Sequence, residues 1–158
     1  MGFHHVAVRV ADIDRATRFY VEALDGVVRT RPGVREGPFA EMVMGGEPGA
    51  RFRVNHIDLP AGCVELFEFL APANETGGVR PAVAAQMHFA VQVEDVDAAL
   101  ARVEAAGGRR YWPEIVEIGG GHRAVYVTDP DGNIIELIDV SPADLVAQLI
   151  AADPAIAP

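Results

Sequence analysis

What this sequence has little of already excludes several kinds of protein. A single cysteine, Cys63, leaves no partner for an internal disulfide, which favours a reducing compartment such as the cytoplasm. Acidic residues outnumber basic ones by 23 to 13, and the net charge of −10 argues against nucleic acid or an anionic membrane as a partner. No apolar run approaches the ~18 residues of a membrane span, and no leader pattern precedes the first strand. We therefore expect a soluble cytoplasmic protein that binds neither nucleic acid nor membranes.

An internal repeat is the most informative feature that is present. The segments HVAVRVADID (5–14) and HFAVQVEDVD (88–97) agree at six of ten positions, with an offset of 88 − 5 = 83 residues. Because this offset is about half of the chain, the repeat predicts two structural modules that share one core. Each copy begins with a histidine on an alternating, strand-like segment and ends in Asp-x-Asp, a pattern typical of a helix start.

Both halves predict the same order of elements, β-α-β-β-β. Helices are expected at about 13–24 and 96–106, where apolar residues recur at helical spacing. The remaining strands are expected in FAEMVMG, FRVNHIDLP and CVELFEFL of the first half and in RYWPEIVEI, HRAVYVTD and NIIELIDV of the second. DPDGN has the composition of a hairpin turn between the last two strands, and Ser141-Pro142 should begin a short C-terminal helix.

These elements predict an α+β fold with a single domain at 1–140. The domain comprises module one (1–70), a linker rich in glycine and proline (71–83) and module two (84–140). The C-terminal helix and tail occupy 141–158.

Alternation along the repeated strands predicts which side chains leave the core. In the first copy three valines occupy one face, whereas the other face carries His5 and Arg9 with an alanine between them. In the second copy that face carries His88 and Gln92, again with an alanine between them. Such a face suits the wall of a cleft, and a pseudo-twofold axis would bring the two histidines toward a common place.

The same parity places two glutamates among hydrophobic side chains. Glu65 in CVELFEF shares its face with Phe67 and Phe69, and Glu136 in NIIELID shares its face with two isoleucines. A carboxylate in such surroundings is costly unless a positive group meets it. Each residue alone has an ordinary structural explanation. One histidine and one glutamate in each half nevertheless form a set that suits a divalent first-row metal with open positions for substrate.

Longer motifs resemble the vicinal oxygen chelate superfamily, which includes glyoxalase I, extradiol dioxygenases, fosfomycin-resistance enzymes, methylmalonyl-CoA epimerases and bleomycin-binding proteins. The motifs are HHVAVRVADIDRATRFYVEAL, VELFEF, MHFAVQVEDVD and YVTDPDGNIIEL, which together span residues 4–139. The resemblance implies two βαβββ modules in tandem that form a curled mixed sheet, a cup, around a metal site. It implies His5, Glu65, His88 and Glu136 as ligands of one divalent ion, whose identity (Ni, Zn, Co, Mn or Fe) stays open.

Two histidines with two glutamates resemble the ligand set of bacterial glyoxalase I. The expected function is a metal-dependent lyase or isomerase that abstracts a proton next to a carbonyl and stabilises an enediolate on the metal. Glu65 and Glu136 are the expected catalytic residues, and which of them is the base stays open. An extradiol ring-cleaving dioxygenase, served by His122 and Tyr126, is one alternative. A metal-free protein that binds an antibiotic, as in bleomycin resistance, is the other.

The resemblance also implies a small-molecule substrate and a homodimer, because relatives often complete their cups across a twofold axis. Arg9 should point into the cup, since glyoxalase I has an arginine in this place that meets the acidic part of glutathione. No role is assigned to His56. The residues expected to contact substrate are Arg9, Gln92, Phe67 and His122, with Phe69 and Met87 nearby.

Overall fold

Two tandem modules and a C-terminal helix form the chain, as the repeat predicts. The structure is a computed structural model that describes residues 4–43, 48–60, 62–71 and 88–154. The first module contains β1 (His5–Arg9), α1 (Ile13–Leu24), β2 (Val27–Val28), β3 (Gly33–Arg35), α2 (Pro38–Val43), β4 (Arg51–Leu59) and β5 (Gly62–Ala71). The second contains β6 (Phe89–Gln92), α3 (Val96–Ala105), β7 (Arg109–Arg110), β8 (Val116–Gly119), β9 (His122–Thr128) and β10 (Ile134–Ile138), followed by α4 (Pro142–Ala152). The α+β class is confirmed, whereas linker residues 72–83 and Met87 lie outside the described residues.

Each module forms its own five-stranded mixed sheet. The strand order is β1-β5-β4-β2 in the first sheet, with β3 on β4, and β6-β10-β9-β7 in the second, with β8 on β9. In both sheets the first strand pairs in parallel with the last, and that last strand pairs in antiparallel fashion with the strand before it. The sheets stay open, because β1 and β6 each have one paired neighbour in the part of the chain that the structure describes.

The modules share one hydrophobic core, in which α1 and α3 pack against each other. Phe19 of α1 and Val103 of α3 are both buried in this core. A Cβ atom on Gly108 would lie 2.6 Å from Val103 Cγ1 and 2.8 Å from the ring of Phe19, so only glycine fits where the modules meet. No helix within the described ranges has the length and apolar character to cross a bilayer.

Both aspartates of the repeated Asp-x-Asp motif have structural roles. The first one caps its helix, since the side chains of Asp12 and Asp95 accept backbone N–H groups of the first turn at 3.0 Å. The second one forms an ion pair with an arginine on the long strand at the centre of its own sheet. These pairs are Asp14 with Arg53 on β4 at 3.0 Å and Asp97 with Arg123 on β9 at 2.6 Å.

Two strand predictions were wrong in detail. FAEMVMG was expected as a strand, but Pro38–Val43 forms α2, which begins directly after Gly37 at φ 78°. Ala40 of this helix is buried against Phe52 and Phe67, so the segment covers one end of the first sheet instead of extending it. RYWPEIVEI was expected as one strand, but it is divided between β7 and β8, because the proline in the middle has no N–H to donate to the sheet.

A buried carboxylate organises the turn between β9 and β10. Asp129 is 2% exposed, and its side chain accepts the backbone N–H groups of Asp131 and Asn133 at 2.9 Å. The Asn133 amide donates to it at 2.8 Å, and the hydroxyl of Tyr20 in the first module donates at 3.2 Å. Burial raises the pKa of Asp129, and it raises the pKa of Tyr20 well above its ordinary value, with a further contribution from the neighbouring carboxylate.

The same turn also binds the end of β1. Asn133 Nδ2 donates to the carbonyl oxygen of Arg9 at 3.0 Å. Asp131 Oδ1 accepts the N–H of Ala11 at 3.1 Å and pairs with the guanidinium of Arg15 at 2.5 Å. DPDGN is therefore both a hairpin turn and the clamp that fixes the second module on the first.

Replacing Asp129 with alanine would leave the Tyr20 hydroxyl and the turn amides without an acceptor where little water can reach them. We expect Asp129→Ala to lower the free energy of unfolding by about 3 kcal/mol and Tyr20→Phe to lower it by about 1 kcal/mol, as measured by urea unfolding. Glu104→Ala removes an exposed ion pair with Arg110 and should cost less than about 0.5 kcal/mol. An Asp129→Ala loss no larger than that of the control would show that the clamp contributes nothing.

Candidate functional site

The strand faces that were predicted to point away from the core do so in both modules. On β1, Val8 is buried in the shared core, whereas His5 and Arg9 are exposed. On β6, Phe89 packs against that core, whereas Gln92 is exposed. Period-two alternation therefore assigned the outward side chains of both strands correctly.

His5 and Glu65 form the first half-site. The parallel register of β1 and β5 places Glu65 beside Ala7, one pleat from His5. His5 Nε2 lies 3.3 Å from Glu65 Oε2, and the glutamate side chain retains 17% exposure. The other ring nitrogen of His5 lies 2.7 Å from Nδ1 of His4, which orients the imidazole so that Nε2 faces the carboxylate.

His88 and Glu136 form the second half-site, built in the same way. Glu136 on β10 lies beside Ala90 of β6, one pleat from the residue before that strand, His88. His88 Nε2 lies 3.2 Å from Glu136 Oε2, and the glutamate side chain retains 15% exposure. The sequence repeat is thus also a repeat of an imidazole–carboxylate pair.

The structure gathers the four predicted ligands as two pairs and not as one group of four. The half-sites belong to different sheets, and the described residues contain no group of three or more His, Cys, Asp or Glu arranged to hold a metal ion. The expectation that one copy of the chain closes a cup around all four side chains is therefore not met in the described residues. Strand parity specifies the face of each ligand but not the placement of one sheet against the other.

Each half-site nevertheless has the donor spacing that a divalent ion requires. Two ligand atoms at about 2.1 Å from one ion are separated by about 3.0 Å in octahedral geometry and by about 3.4 Å in tetrahedral geometry. The two nitrogen–oxygen distances, 3.3 Å and 3.2 Å, lie within this range. Imidazole nitrogen and carboxylate oxygen also suit Ni, Zn, Co, Mn and Fe. The residues present in each half-site therefore fit a first-row metal.

His56 is a site residue that sequence reasoning missed. It lies opposite Glu65 across the β4–β5 pair, and its Nε2 is 3.0 Å from Glu65 Oε1. The other ring nitrogen lies 3.2 Å from the hydroxyl of Thr30. The turn between FRVNHIDL and CVELFEF could have revealed this contact, since it sets the register of the hairpin.

Tyr126 occupies the equivalent place in the second half-site. It lies opposite Glu136 across the β9–β10 pair, and its ring meets that of His88 edge to face at 5.1 Å. Burial raises the pKa of Tyr126, and the charge of Glu136 and a hydrogen bond to it raise the pKa further. The hydroxyl therefore stays protonated at neutral pH and donates to the carboxylate.

The residues expected to contact substrate fall into two groups. In the first module, the guanidinium of Arg9 lies 4.8 Å from the ring centre of Phe69, and Phe67 packs with Phe52 and Phe69 in a small apolar cluster. This places a largely buried apolar cluster and a cation on the sheet that carries the first half-site.

In the second module, the expected substrate residues lie on two strands. Gln92 is exposed on β6. His122 begins β9, where its Nδ1 lies 3.2 Å from Asp139 Oδ1, so this imidazole already has a polar neighbour within the chain.

Comparison with known proteins settles the family. Residues 2–137 match the family model described as the Glyoxalase/Bleomycin resistance protein/Dioxygenase superfamily. The chain belongs to this superfamily. The resemblance inferred from the sequence motifs is thereby confirmed.

Several individual proteins of the superfamily are similar to this chain. It is 32% identical to a 2-epi-5-epi-valiolone epimerase from Actinomyces sp over 89% of this chain and 80% of that protein. It is 30% identical to a putative lactoylglutathione lyase from Brassica oleracea var. gemmifera over 89% of this chain, and it spans 45% of that protein's length. A glyoxalase family protein from Bacillus cereus shares the fold with a TM-score of 0.77 at 21% identity, over 88% of this chain and 93% of that one. Similarity to an epimerase and to a lyase supports an enzyme of the superfamily.

The contact between Tyr126 and Glu136 predicts a measurable titration. Glu136→Gln removes the negative charge beside the phenol, so the pKa of Tyr126 should fall toward its ordinary value of 10.0. Because the folded pKa is raised, the contribution of Tyr126 to stability is present below pH 10.0 and is lost as pH rises through the folded value. The ¹³Cζ chemical shift of labelled tyrosine in metal-free protein reports this titration. An unchanged pKa in Glu136→Gln would rule out the contact.

Proposed function

We propose that the protein is a metal-dependent lyase or isomerase of the glyoxalase type, which removes a proton from a carbon next to a carbonyl group. The observation that carries the proposal is the duplicated imidazole–carboxylate pair, His5 with Glu65 and His88 with Glu136. Both pairs lie on outward sheet faces. Within each pair, the nitrogen–oxygen distance is one that two ligands of the same ion can have.

The metal would be held by His5, Glu65, His88 and Glu136. When bound, a divalent ion withdraws electron density from a carbonyl oxygen and so makes the neighbouring C–H bond more acidic. The chain's own residues then perform the remaining tasks. Arg9, Phe67, Gln92 and His122 bind and orient the substrate.

One carboxylate, Glu65 or Glu136, accepts the proton on an oxygen atom and later returns it. Delivery of a proton to the same carbon by the other carboxylate, from the opposite face, inverts that centre. Return of the proton to the adjacent carbon, with the hydroxyl proton passing from one substrate oxygen to the other, moves the carbonyl group along the substrate. Both carboxylates retain little exposure, 17% and 15%, so few water molecules compete for the proton. The same site therefore supports epimerisation and isomerisation.

The complete shell would form between two copies of the chain. Each copy offers both half-sites on separate sheets, and the edge strands β1 and β6 lie beside them. In a homodimer with a twofold axis, the first half-site of one copy meets the second half-site of the other, and two complete sites result.

The substrate class that we favour is a hydroxy ketone. The similarity to a 2-epi-5-epi-valiolone epimerase extends over 80% of that protein, whereas the chain spans 45% of the similar plant lactoylglutathione lyase. Removal and return of a proton beside a ketone is the chemistry that epimerisation of such a compound requires.

Hydrogen exchange with solvent tests the proposed step directly. The metal-loaded protein is incubated in D₂O with a polyhydroxylated cyclohexanone or with the hemithioacetal of methylglyoxal and glutathione, and deuterium next to the carbonyl is followed by NMR. We expect exchange that a chelator abolishes, and that Glu65→Gln or Glu136→Gln slows by about 10²–10⁴-fold. Glu104→Gln, which alters an exposed ion pair elsewhere, should exchange at the wild-type rate.

Two results would contradict the proposal. One is a protein that takes up none of the five candidate metals, which would favour the metal-free binding alternative. The other is ring cleavage of a catechol in air with iron(II) alone. His122 and Tyr126 lie on the same face of β9, and Tyr126 is the residue opposite Glu136, so the dioxygenase alternative has a specific structural basis.

Mixing two inactive variants tests where the site is assembled. His5→Ala with Glu65→Ala disables the first half-site, and His88→Ala with Glu136→Ala disables the second. Refolding the two double variants together should restore about a quarter of wild-type activity, because random pairing makes half of the dimers mixed and each mixed dimer has one intact site of two. A mixture as inactive as its components would contradict a site shared between copies.

A further inference from the structure

We propose that His56 is a positioning residue that holds Oε1 of Glu65 and leaves only Oε2 of this carboxylate to face His5. The inference rests on the proposed function in one respect, namely that Oε2 is the oxygen presented to the metal. Neither the repeat nor the four expected ligands assign any role to His56.

The two oxygens of Glu65 have different neighbours. Oε2 lies 3.3 Å from Nε2 of His5, and Oε1 lies 3.0 Å from Nε2 of His56. The two imidazoles approach from opposite sides of β5, since β1 and β4 are its two neighbours in the sheet. Glu65 is therefore held between them, and the plane of its carboxylate is fixed by two contacts instead of one.

The shortest side-chain contacts around His56 favour one arrangement of protons. An ionised carboxylate only accepts hydrogen bonds, so His56 Nε2 must carry the hydrogen that it shares with Glu65. In the neutral ring Nδ1 is then an acceptor. It meets the Thr30 hydroxyl at 3.2 Å, a shorter contact than the 3.4 Å from the same hydroxyl to Asn55 Oδ1. The same hydroxyl oxygen accepts the backbone N–H of His56 at 3.1 Å, so Thr30 fixes both the ring and the main chain of this residue.

The second half-site contains the same construction with a different donor. Tyr126 lies opposite Glu136 as His56 lies opposite Glu65, and both positions belong to the third strand of an equivalent β1-β5-β4 or β6-β10-β9 set. Each carboxylate therefore lies opposite a residue of the neighbouring strand whose ring bears a hydrogen-bond donor. This correspondence argues against a chance contact between His56 and Glu65.

A carboxylate held in this way can offer one oxygen to an ion but not two. Loss of the His56 contact would free Oε1 to rotate and would lower the fraction of time that Oε2 spends beside His5. Removal of the hydrogen-bond partner of a metal ligand typically lowers metal affinity by about 10–100-fold. We expect a change of that size from His56, although it does not touch the ion.

The first test needs no metal. Long-range ¹H–¹⁵N spectra of metal-free protein at pH 8 report which nitrogen of each histidine ring carries the hydrogen. We expect His56 in the Nε2–H form in the wild type, and a loss of this preference in Thr30→Val, which lacks the hydroxyl donor. A His56 ring in the Nδ1–H form would overturn the proposal, even if every statement about metal and catalysis were correct.

The second test compares His56→Gln with His56→Phe in the full-length protein. Glutamine keeps an N–H donor at nearly the reach of imidazole Nε2, whereas phenylalanine keeps a ring without a donor. Cobalt(II) binding is measured by calorimetry, and its visible absorption bands report the coordination number. We expect His56→Phe to lose about 10–100-fold in affinity with altered bands, and His56→Gln to retain most of the affinity and the wild-type spectrum.

Two outcomes of the second test would overturn the inference. One is wild-type cobalt affinity and bands in His56→Phe, and the other is an equal loss in both variants, which would indicate a structural role of the ring. If His56→Phe does not fold, Thr30→Val decides, with a smaller loss in the same direction expected and no change contradicting the proposal. A wild-type protein that binds no cobalt would overturn the proposed function, and the tautomer of His56 would then decide the positioning role alone.

Discussion

The cost of keeping an ionised carboxylate on a largely apolar sheet face is the constraint on which the candidate site depends. Glu65 and Glu136 retain little solvent contact, and each meets an imidazole along its own sheet face and a ring donor across the strand pair. Partly buried carboxylates need such partners, because desolvation otherwise favours the neutral form. A cation placed between imidazole nitrogen and carboxylate oxygen would meet the same need, which supports the proposed metal centre.

The duplication places one such carboxylate in each module, and the rest of the fold fixes the position of the two modules relative to each other. The Asp-x-Asp motifs tie each helix to its own sheet, and the clamp at Asp129–Asn133 ties one module to the other. Each half-site is therefore carried on rigid strands, which favours accurate ligand placement. In the proposed dimer, function is coupled to assembly, because each half-site is completed by its complement in the other copy.

Local signals made much of this predictable. Helical spacing and the cap at Asp12 gave α1 its observed bounds, and alternation placed His5 and Glu65 on the same outward face. The helix at Pro38–Val43 was not predictable, because a short apolar segment carries no clear period and Ala40 is fixed by contacts from distant strands. The contact between His56 and Glu65 was missed because it depends on the cross-strand register and not on the residues that surround His56 in the sequence. The division of the ligands into two pairs was missed for a related reason, since parity within a strand carries no information about the distance between sheets.

Anomalous X-ray diffraction at the absorption edge of the bound metal, on crystals of the metal-loaded protein, is the most direct test of the central claim. The account predicts two metal peaks for each pair of copies, each with His5 and Glu65 from one copy and His88 and Glu136 from the other as its protein ligands. A peak bound by a single chain, or by residues outside these four, would contradict it.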